Sequence, residues 1–297
     1  MIVRMVNALV VGVEQGGIYS LVALGLVTVY SATNVFNFAH GDLVMASTVL
    51  TVVLWRSFGV PIVLAGAASV VGVVVLGALT ERIAVRPVLG HDTSTGWILS
   101  TFGVSIIVST SFTIALTNGT SPSTQRFFPS YLPFHGWSLG GVLLDPNKLF
   151  VVVVAAIVAV LLVVFLRRTN YGRALRAVAD DREGAAMRGV PVARISLLSF
   201  VIGAAIAGVT GVVVGPVTQA DAGSGAALVL KGFIAAAVGG IPSIEGALVG
   251  GVVLGMIESF IQQFTNGKLI DPISLAALLL VLSIRPNGLM GQRGRIV

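Results

Sequence analysis

Leu149-Phe-Val-Val-Val-Val-Ala-Ala-Ile-Val-Ala-Val-Leu-Leu-Val-Val-Phe-Leu166, closed by Arg167-Arg168, is a run of eighteen residues without a polar side chain. As a helix it is an apolar rod about 27 Å long, close to the thickness of a bilayer's hydrocarbon core. The arginine pair marks a membrane boundary. The rest of the chain follows the same logic. Its 297 residues are 10% charged and 56% hydrophobic, with a mean hydropathy of +0.99, whereas a soluble domain is about 25% charged. A water-facing surface cannot be built from that composition. The length supplies about eight or nine spans with short connections. We therefore expect an all-α polytopic membrane bundle forming a single domain over 1–297.

Outward from that run, apolar stretches cut by Gly, Pro and charge give candidate spans at about Val6 to Tyr30, Leu43 to Trp55, Pro61 to Leu79, Gly96 to Leu116, Ile195 to Val214, Leu228 to Val238, Ala247 to Phe264 and Ile270 to Ile284. The runs at Leu43 and Leu228 are short for a crossing, and short or interrupted segments mark broken helices around a transport path. Arg4 precedes the first stretch, which carries Glu14 and Gln15 and lacks a convincing cleavage site, so it is expected to be a retained span.

Twelve of the eighteen cations fall in three segments: seven arginines in 167–194, Arg82 and Arg86 in 81–95, and Arg285, Arg293 and Arg295 in the tail. Counting spans puts all three on one side, which the positive-inside rule makes the cytoplasm. That places the C-terminus inside and, for nine spans, the N-terminus outside. The net charge of +6 is thereby explained without nucleic acid. On the opposite side lies a long connection, about 118–147, with Pro122, Pro129, Pro133, Pro146, Tyr131 and Trp137; it reads as a stiff linker or as a docking surface. Small-residue pairs such as Gly12 with Gly16, Gly246 with Gly250, and Gly251 with Gly255 have the spacing that lets helices approach closely in lipid.

Three segments carry more than span logic. After Gly172 the cytoplasmic loop reads as a short amphipathic helix, with Leu175, Val178 and Ala185 or Ala186 on one face, Arg176 and Asp180 paired at i,i+4, and a stop at Gly189 and Pro191. Physics alone leaves two readings, a helix lying on anionic membrane lipid or a knob fitting a groove on a soluble partner. Thr33-Asn-Val-Phe-Asn-Phe-Ala-His-Gly-Asp42 is either an exposed turn or, at membrane depth, a stretch tolerated only where protein or a cavity surrounds it. In the second case Asn37, His40, Gly41 and Asp42 are candidates for a path. In 231–251, Gly239, Gly240 and Pro242 break a helix, with Ser243 beside the break. Lys231 and Glu245 there are expected to be paired or to sit at the membrane interface rather than to contact substrate.

Catalytic signatures are missing. There is no cysteine, hence no disulfide or thiolate metal site, and neither a phosphate-cradling GxxxxGK[ST] loop nor HExxH. No catalytic residue, metal or cofactor is assigned. A self-sufficient secondary transporter or channel, driven through carboxylates such as Glu14, Asp221 or Glu258, is the rival from another class.

Four stretches in order resemble the permeases of branched-chain amino acid importers of the ATP-binding-cassette type: Asn37-Phe-Ala-His-Gly41; Gly172-Arg-Ala-Leu-Arg-Ala177 with Asp180 and 185–189; Gly239-Gly-Ile-Pro-Ser-Ile-Glu-Gly-Ala-Leu-Val-Gly-Gly251; and Arg285-Pro-Asn-Gly-Leu-Met-Gly291. The resemblance covers almost the whole chain. It implies an inner-membrane permease without ATPase activity of its own. The implied partners are a second homologous permease, two ATP-binding subunits and a periplasmic or lipid-anchored substrate-binding protein. It also implies that the loop bearing Arg173, Arg176, Asp180, Asp181, Glu183, Arg188 and Gly189 is a coupling segment, and that the 37–42 stretch lies near the translocation path. Ile241-Pro242 departs from the glycine-containing turn common in relatives. Related permeases for urea, short amides and sugars share much of the pattern.

Overall fold

The structure, a computed structural model, describes residues 2–88, 96–117, 125–132, 137–139, 142–264 and 270–290. Of the residues discussed above, Pro122, Pro133, Gly291, Arg293 and Arg295 lie outside them. Seven described helices are long and apolar enough to cross a membrane. They are α1 (Ile2–Thr33), α2 (His40–Phe58), α3 (Ile62–Leu79, continued by a π-helical turn over Thr80–Val85), α4 (Gly96–Thr117), α5 (Pro146–Arg168), α8 (Val192–Thr218) and α10 (Ile244–Phe264). Two shorter apolar helices, α9 (Gly225–Gly239) and α11 (Ile270–Ile284), complete the set. Each of the nine apolar runs forms a helix, so the expected membrane bundle is observed.

Helix α1 is the axis, buried on all sides without interruption from Gly16 to Val29. It packs against α5, α8, α9 and, most extensively, α10. Its seam with α10 is made by glycine. A Cβ on Gly255 would stand 2.3 Å from the Gly16 nitrogen, and one on Gly12 would stand 2.7 Å from the Met256 Cα. Gly250 opposes the backbone of Ala235 and Gly239 on α9 in the same way. All three spaced glycine pairs thus serve helix packing, as lipid requires when no hydrophobic force drives helices together. The outer faces of α3, α4 and α5 expose Leu64, Val71, Ile106, Ile107, Val160 and Leu161, surface suited to lipid or to another subunit.

Two corrections concern element boundaries. The run at Leu43 is not short, because His40, Gly41 and Asp42 are its buried first turn and α2 has 19 residues. The loop after Arg168 is not one helix starting after Gly172 but two, α6 (Asn170–Asp180) and α7 (Arg182–Met187). Thr169 Oγ1 accepts from the Gly172 N–H at 2.9 Å and sets the start at Asn170, earlier than expected. Asp181 takes extended backbone angles, φ −154° and ψ 102°, and its Oδ1 accepts from the Gly184 N–H at 2.9 Å. A side chain that competes for the backbone in this way favours a cap over a helix interior. Gly189, at φ +83°, ends the second helix.

We expect Asp181→Ala to destabilise the α6–α7 unit by about 1 kcal/mol, read as faster amide exchange at Gly184 and Ala185. Asp181→Asn should retain wild-type protection. Equal protection in the alanine variant would remove the cap from the account.

The pair projects as a knob from one end of the bundle. Leu175, Val178 and Ala185 are buried against Ala32 of α1 and Ile195 of α8, as the amphipathic pattern required, whereas Ala186 is exposed. Arg176 and Asp180 are both exposed, and their expected pair is absent from the ion pairs among the described residues. At the same end Arg167 meets Glu245 at 3.3 Å, joining α5 to the start of α10. At the far end, the described part of the long connection folds onto the bundle. Strand β1 (Gln125–Arg126) pairs antiparallel with β4 (Ala220–Asp221), and Phe128, 1% exposed, packs over Gly215 of α8. A second pair, β2 (Trp137–Leu139) with β3 (Val142–Leu144), is also antiparallel.

Candidate functional site

The chain between α1 and α2 does not turn at the bundle surface. Thr33 ends α1 beside the knob, and the next residues climb back inside: Val35, Asn37, Ala39, His40 and Asp42 are each 2% exposed or less. His40 rests on Gly25, two turns up α1. Of the two readings open for this stretch, the exposed turn is excluded: protein surrounds it. A turn holds it, in which Asn37 Oδ1 accepts from the Ala39 N–H at 3.1 Å and the Asn37 carbonyl accepts from the His40 N–H at 3.0 Å. Aromatic rings pin it on two sides. Phe36 stacks on Tyr30 at 4.3 Å and meets Phe233 of α9 edge-on, while Phe38 stacks on Phe102 of α4 at 4.7 Å. Such pairs contribute about 0.5–1.5 kcal/mol beyond area burial.

Asp42 stands where α9 begins. Ser105 of α4 donates to its Oδ2, and its Oδ1 lies so close to Gly225 that a Cβ there would sit 2.1 Å away. Ser224, the residue before α9, makes no side-chain cap. A helix N-terminus presents unpaired N–H groups and the positive end of its dipole, and a carboxylate from a different helix complements this one. Gly41 makes the approach possible by facing the Gly225 carbonyl and Val229. Both His40 ring nitrogens are buried without a hydrogen-bond partner among the described residues.

Gly239, Gly240 and Ser243 lie at the other end of α9, about 21 Å away along a helix of that length. The nine-helix bundle therefore does not bring the two sets of candidate residues together. Gly240 turns the chain at φ +104°, next to a cis Ile241–Pro242 bond, and Ser243 Oγ accepts from the Gly246 N–H at 2.9 Å, capping α10. The tail seals this joint: Leu289 and Met290 donate to the carbonyls of Val238 and Gly239 at 2.9 and 2.8 Å, and Gly288 packs on Gly240. Two motifs far apart in sequence are one structural element. Arg173, Arg176, Asp180, Asp181, Glu183, Arg188 and Gly189 all lie on the exposed side of the knob.

Residue-by-residue reading missed a charge network inside the bundle. Glu258 of α10, 2% exposed, accepts from Lys231 of α9, from Ser274 Oγ of α11 at 2.6 Å and from the Tyr19 hydroxyl of α1 at 2.5 Å. Gln15 donates to the same hydroxyl at 2.9 Å. Of the two placements expected for Lys231 and Glu245, pairing is observed, with Glu258 and Arg167 respectively. The missing signal was register, since Tyr19 is one of many residues in an apolar run. Two exposed apolar side chains on the knob were also passed over, Tyr171 and Met187, the latter 84% exposed. Among the described residues no group of three or more His, Cys, Asp or Glu is placed to hold a metal ion.

A bundle of membrane-length helices, with a buried chain segment between α1 and α2, a short helix starting inside and a capped knob at one end, is an architecture suited to a membrane permease. Comparison with known proteins agrees. Residues 8–282 match the family model described as the permease component of branched-chain amino acid transport systems. The chain is 33% identical to the high-affinity branched-chain amino acid transport system permease protein BraD of Pseudomonas aeruginosa, covering 96% of this chain and 95% of that one. It is 32% identical to LivH of Escherichia coli, a permease protein of the same description, over 95% and 94% of the two chains. A solved chain of PsaBC from Streptococcus pneumoniae, in complex with a Fab, shares the fold at a TM-score of 0.53 and 15% identity, over 97% of each chain. The protein belongs to the branched-chain amino acid transport permease family and is a permease component of a transport system.

Proposed function

We propose that this chain is one transmembrane half of an ATP-driven importer that carries branched-chain or similar hydrophobic amino acids across a bacterial inner membrane. It works with a second homologous permease, two ATP-binding-cassette subunits and a substrate-binding protein, and ATP is hydrolysed in those separate subunits. The knob end and the C-terminus are cytoplasmic, in accord with the arginines of 167–194. The observation that carries the reading is the knob itself. Its apolar face is locked into α1 and α8, so a push on it moves the helices. Its outer face offers Arg173, Arg176, Asp180, Glu183 and Arg188 around the exposed Tyr171 and Met187, an apolar centre with a charged rim of the kind that anchors interfaces. A helix lying on anionic lipid would not interleave acidic residues in this way. The re-entrant wall of Asn37, His40, Gly41 and Asp42 borders the path, and the Gly239–Gly240–Ser243 joint links the short helix α9 to the knob end.

The test is uptake and ATP hydrolysis measured together in the reconstituted transporter. Met187→Glu with Arg176→Glu should leave membrane insertion intact while abolishing ATP-driven uptake, with the ATPase subunits idling or lost from the complex. Unchanged uptake, or uptake by the purified chain alone in liposomes, would overturn the reading. Asn37→Ala should change uptake and leave the ATPase subunits bound.

A further inference from the structure

Glu14, Lys148, Gln15, Thr218, Ser259 and Gln262 face a cleft of about 520 Å³. All six lie toward the end opposite the knob. Glu14 is in the first half of α1, whose last turn touches the knob; Lys148 opens α5, which closes on Arg167; Thr218 ends α8, and Gln262 is in the last turn of α10. The cleft is thus a mouth on the side that the proposed function makes external.

Its charge arrangement is unusual. Glu14 is 2% exposed and its Oε1 has no hydrogen-bond partner among the described residues, a costly state for a carboxylate. Lys148 lies 3.7 Å from the other oxygen, beyond hydrogen-bonding distance, and is about one third exposed. The Asp145 main chain also approaches the carboxylate. An acceptor that needs a donor and a cation with donors to spare thus stand side by side at the cleft wall. Val11, Ile18 and Val217 supply an apolar patch beside them, and the volume lies within the usual range for small-molecule sites. From Gln15 a hydrogen-bonded chain continues through Tyr19 to Glu258 and Lys231 in the bundle interior.

We infer that this cleft is a reception site for a zwitterionic α-amino acid with an aliphatic side chain: Glu14 takes the ammonium, Lys148 the carboxylate, and the valine–isoleucine patch the side chain. The inference rests on the importer reading for its substrate class and adds the site. A phosphatidylethanolamine headgroup offers the same ammonium–anion chemistry, so the test separates the two sources.

The purified full-length chain in phosphatidylglycerol nanodiscs is titrated with L-leucine, 4-methylpentanoate (no ammonium) and isopentylamine (no carboxylate), with binding read by saturation-transfer NMR. Leucine should bind saturably and each half-molecule at least tenfold more weakly. Glu14→Gln should weaken leucine and isopentylamine at least tenfold and spare 4-methylpentanoate; Lys148→Met should do the reverse for the two half-molecules. A merely structural role predicts no such crossed pattern. Should Glu14→Gln fail to fold, the partly exposed Lys148 still decides through its own variant. Adding phosphatidylethanolamine to the nanodisc should leave leucine binding unchanged. No leucine binding, wild-type leucine binding by both variants, the same half-molecule preference in both, or displacement of leucine by that lipid would overturn the site. ATP-driven uptake by the assembled transporter is scored separately: its persistence without cleft binding sinks the cleft alone, and its absence sinks the importer reading.

Discussion

Glu258→Ala is expected to lower the stability of the bundle by about 3–5 kcal/mol, the cost of removing one partner from a buried ion pair. The carboxylate joins four helices, through Tyr19 of α1, Lys231 of α9, Ser274 of α11 and its own α10, and truncation takes the counter-ion from Lys231. The loss should appear as a lower midpoint of thermal unfolding in detergent or nanodiscs. The double variant Lys231→Met with Glu258→Met should recover most of it, because an apolar pair of similar volume is often as stable as the charged one. A single variant as stable as wild type would show that the network does not hold these helices. An ion-coupled transporter working through Glu258 would need that carboxylate free to exchange its partner; here three donors hold it.

The second large effect is at the α1–α10 seam. Gly255→Leu places atoms where the Gly16 nitrogen, the Gly12 carbonyl and the Gly16 Cα already stand, all within 2.5 Å of the new Cβ position. Those atoms are backbone and cannot rotate away, so the helices must separate. The cost is expected at or above the roughly 3 kcal/mol that usually bounds overpacking, and the variant should be lost from the monodisperse peak after extraction. Gly103→Ala is the matched control. A Cβ there meets nothing within 4 Å, and replacing an interior helical glycine should be neutral or gain up to about 1 kcal/mol. Similar behaviour of the two variants would mean that glycine spacing does not make the seam.

Much of this architecture is legible in residue order because lipid imposes a strong local rule. A segment such as 149–166 satisfies its backbone within its own helix and exposes only apolar side chains, so its state does not depend on its neighbours. The knob's buried face was legible for a similar reason, since Leu175, Val178 and Ala185 are spaced to fall on one side. The split at Asp181 was harder to read, because a cap and an interior helical residue differ by only about 1 kcal/mol. For Thr33 to Asp42 the sequence offered two readings. Polar residues between apolar runs fit a surface turn as well as a buried re-entry, and the choice depends on Phe36, Phe38 and Gly41 meeting rings and glycines from α1, α4 and α9.

The sequence alone determined that the protein crosses a membrane many times, which end carries the arginines, and, through four ordered motifs, which family of permeases it resembles. Those properties follow from composition, length and local pattern. The tertiary structure decided which polar groups meet. It brought Asp42 to the start of α9, Glu258 to Tyr19, Lys231 and Ser274, the tail to the Gly239–Gly240 joint, and Glu14 beside Lys148 at a cleft. These partners are separated by tens to hundreds of residues, and every one of them sits in or beside a helix that lipid would accept in many rotations. Close glycine contacts, aromatic pairs and polar links between helices fix those rotations together, so the interior chemistry appears only once the bundle is packed.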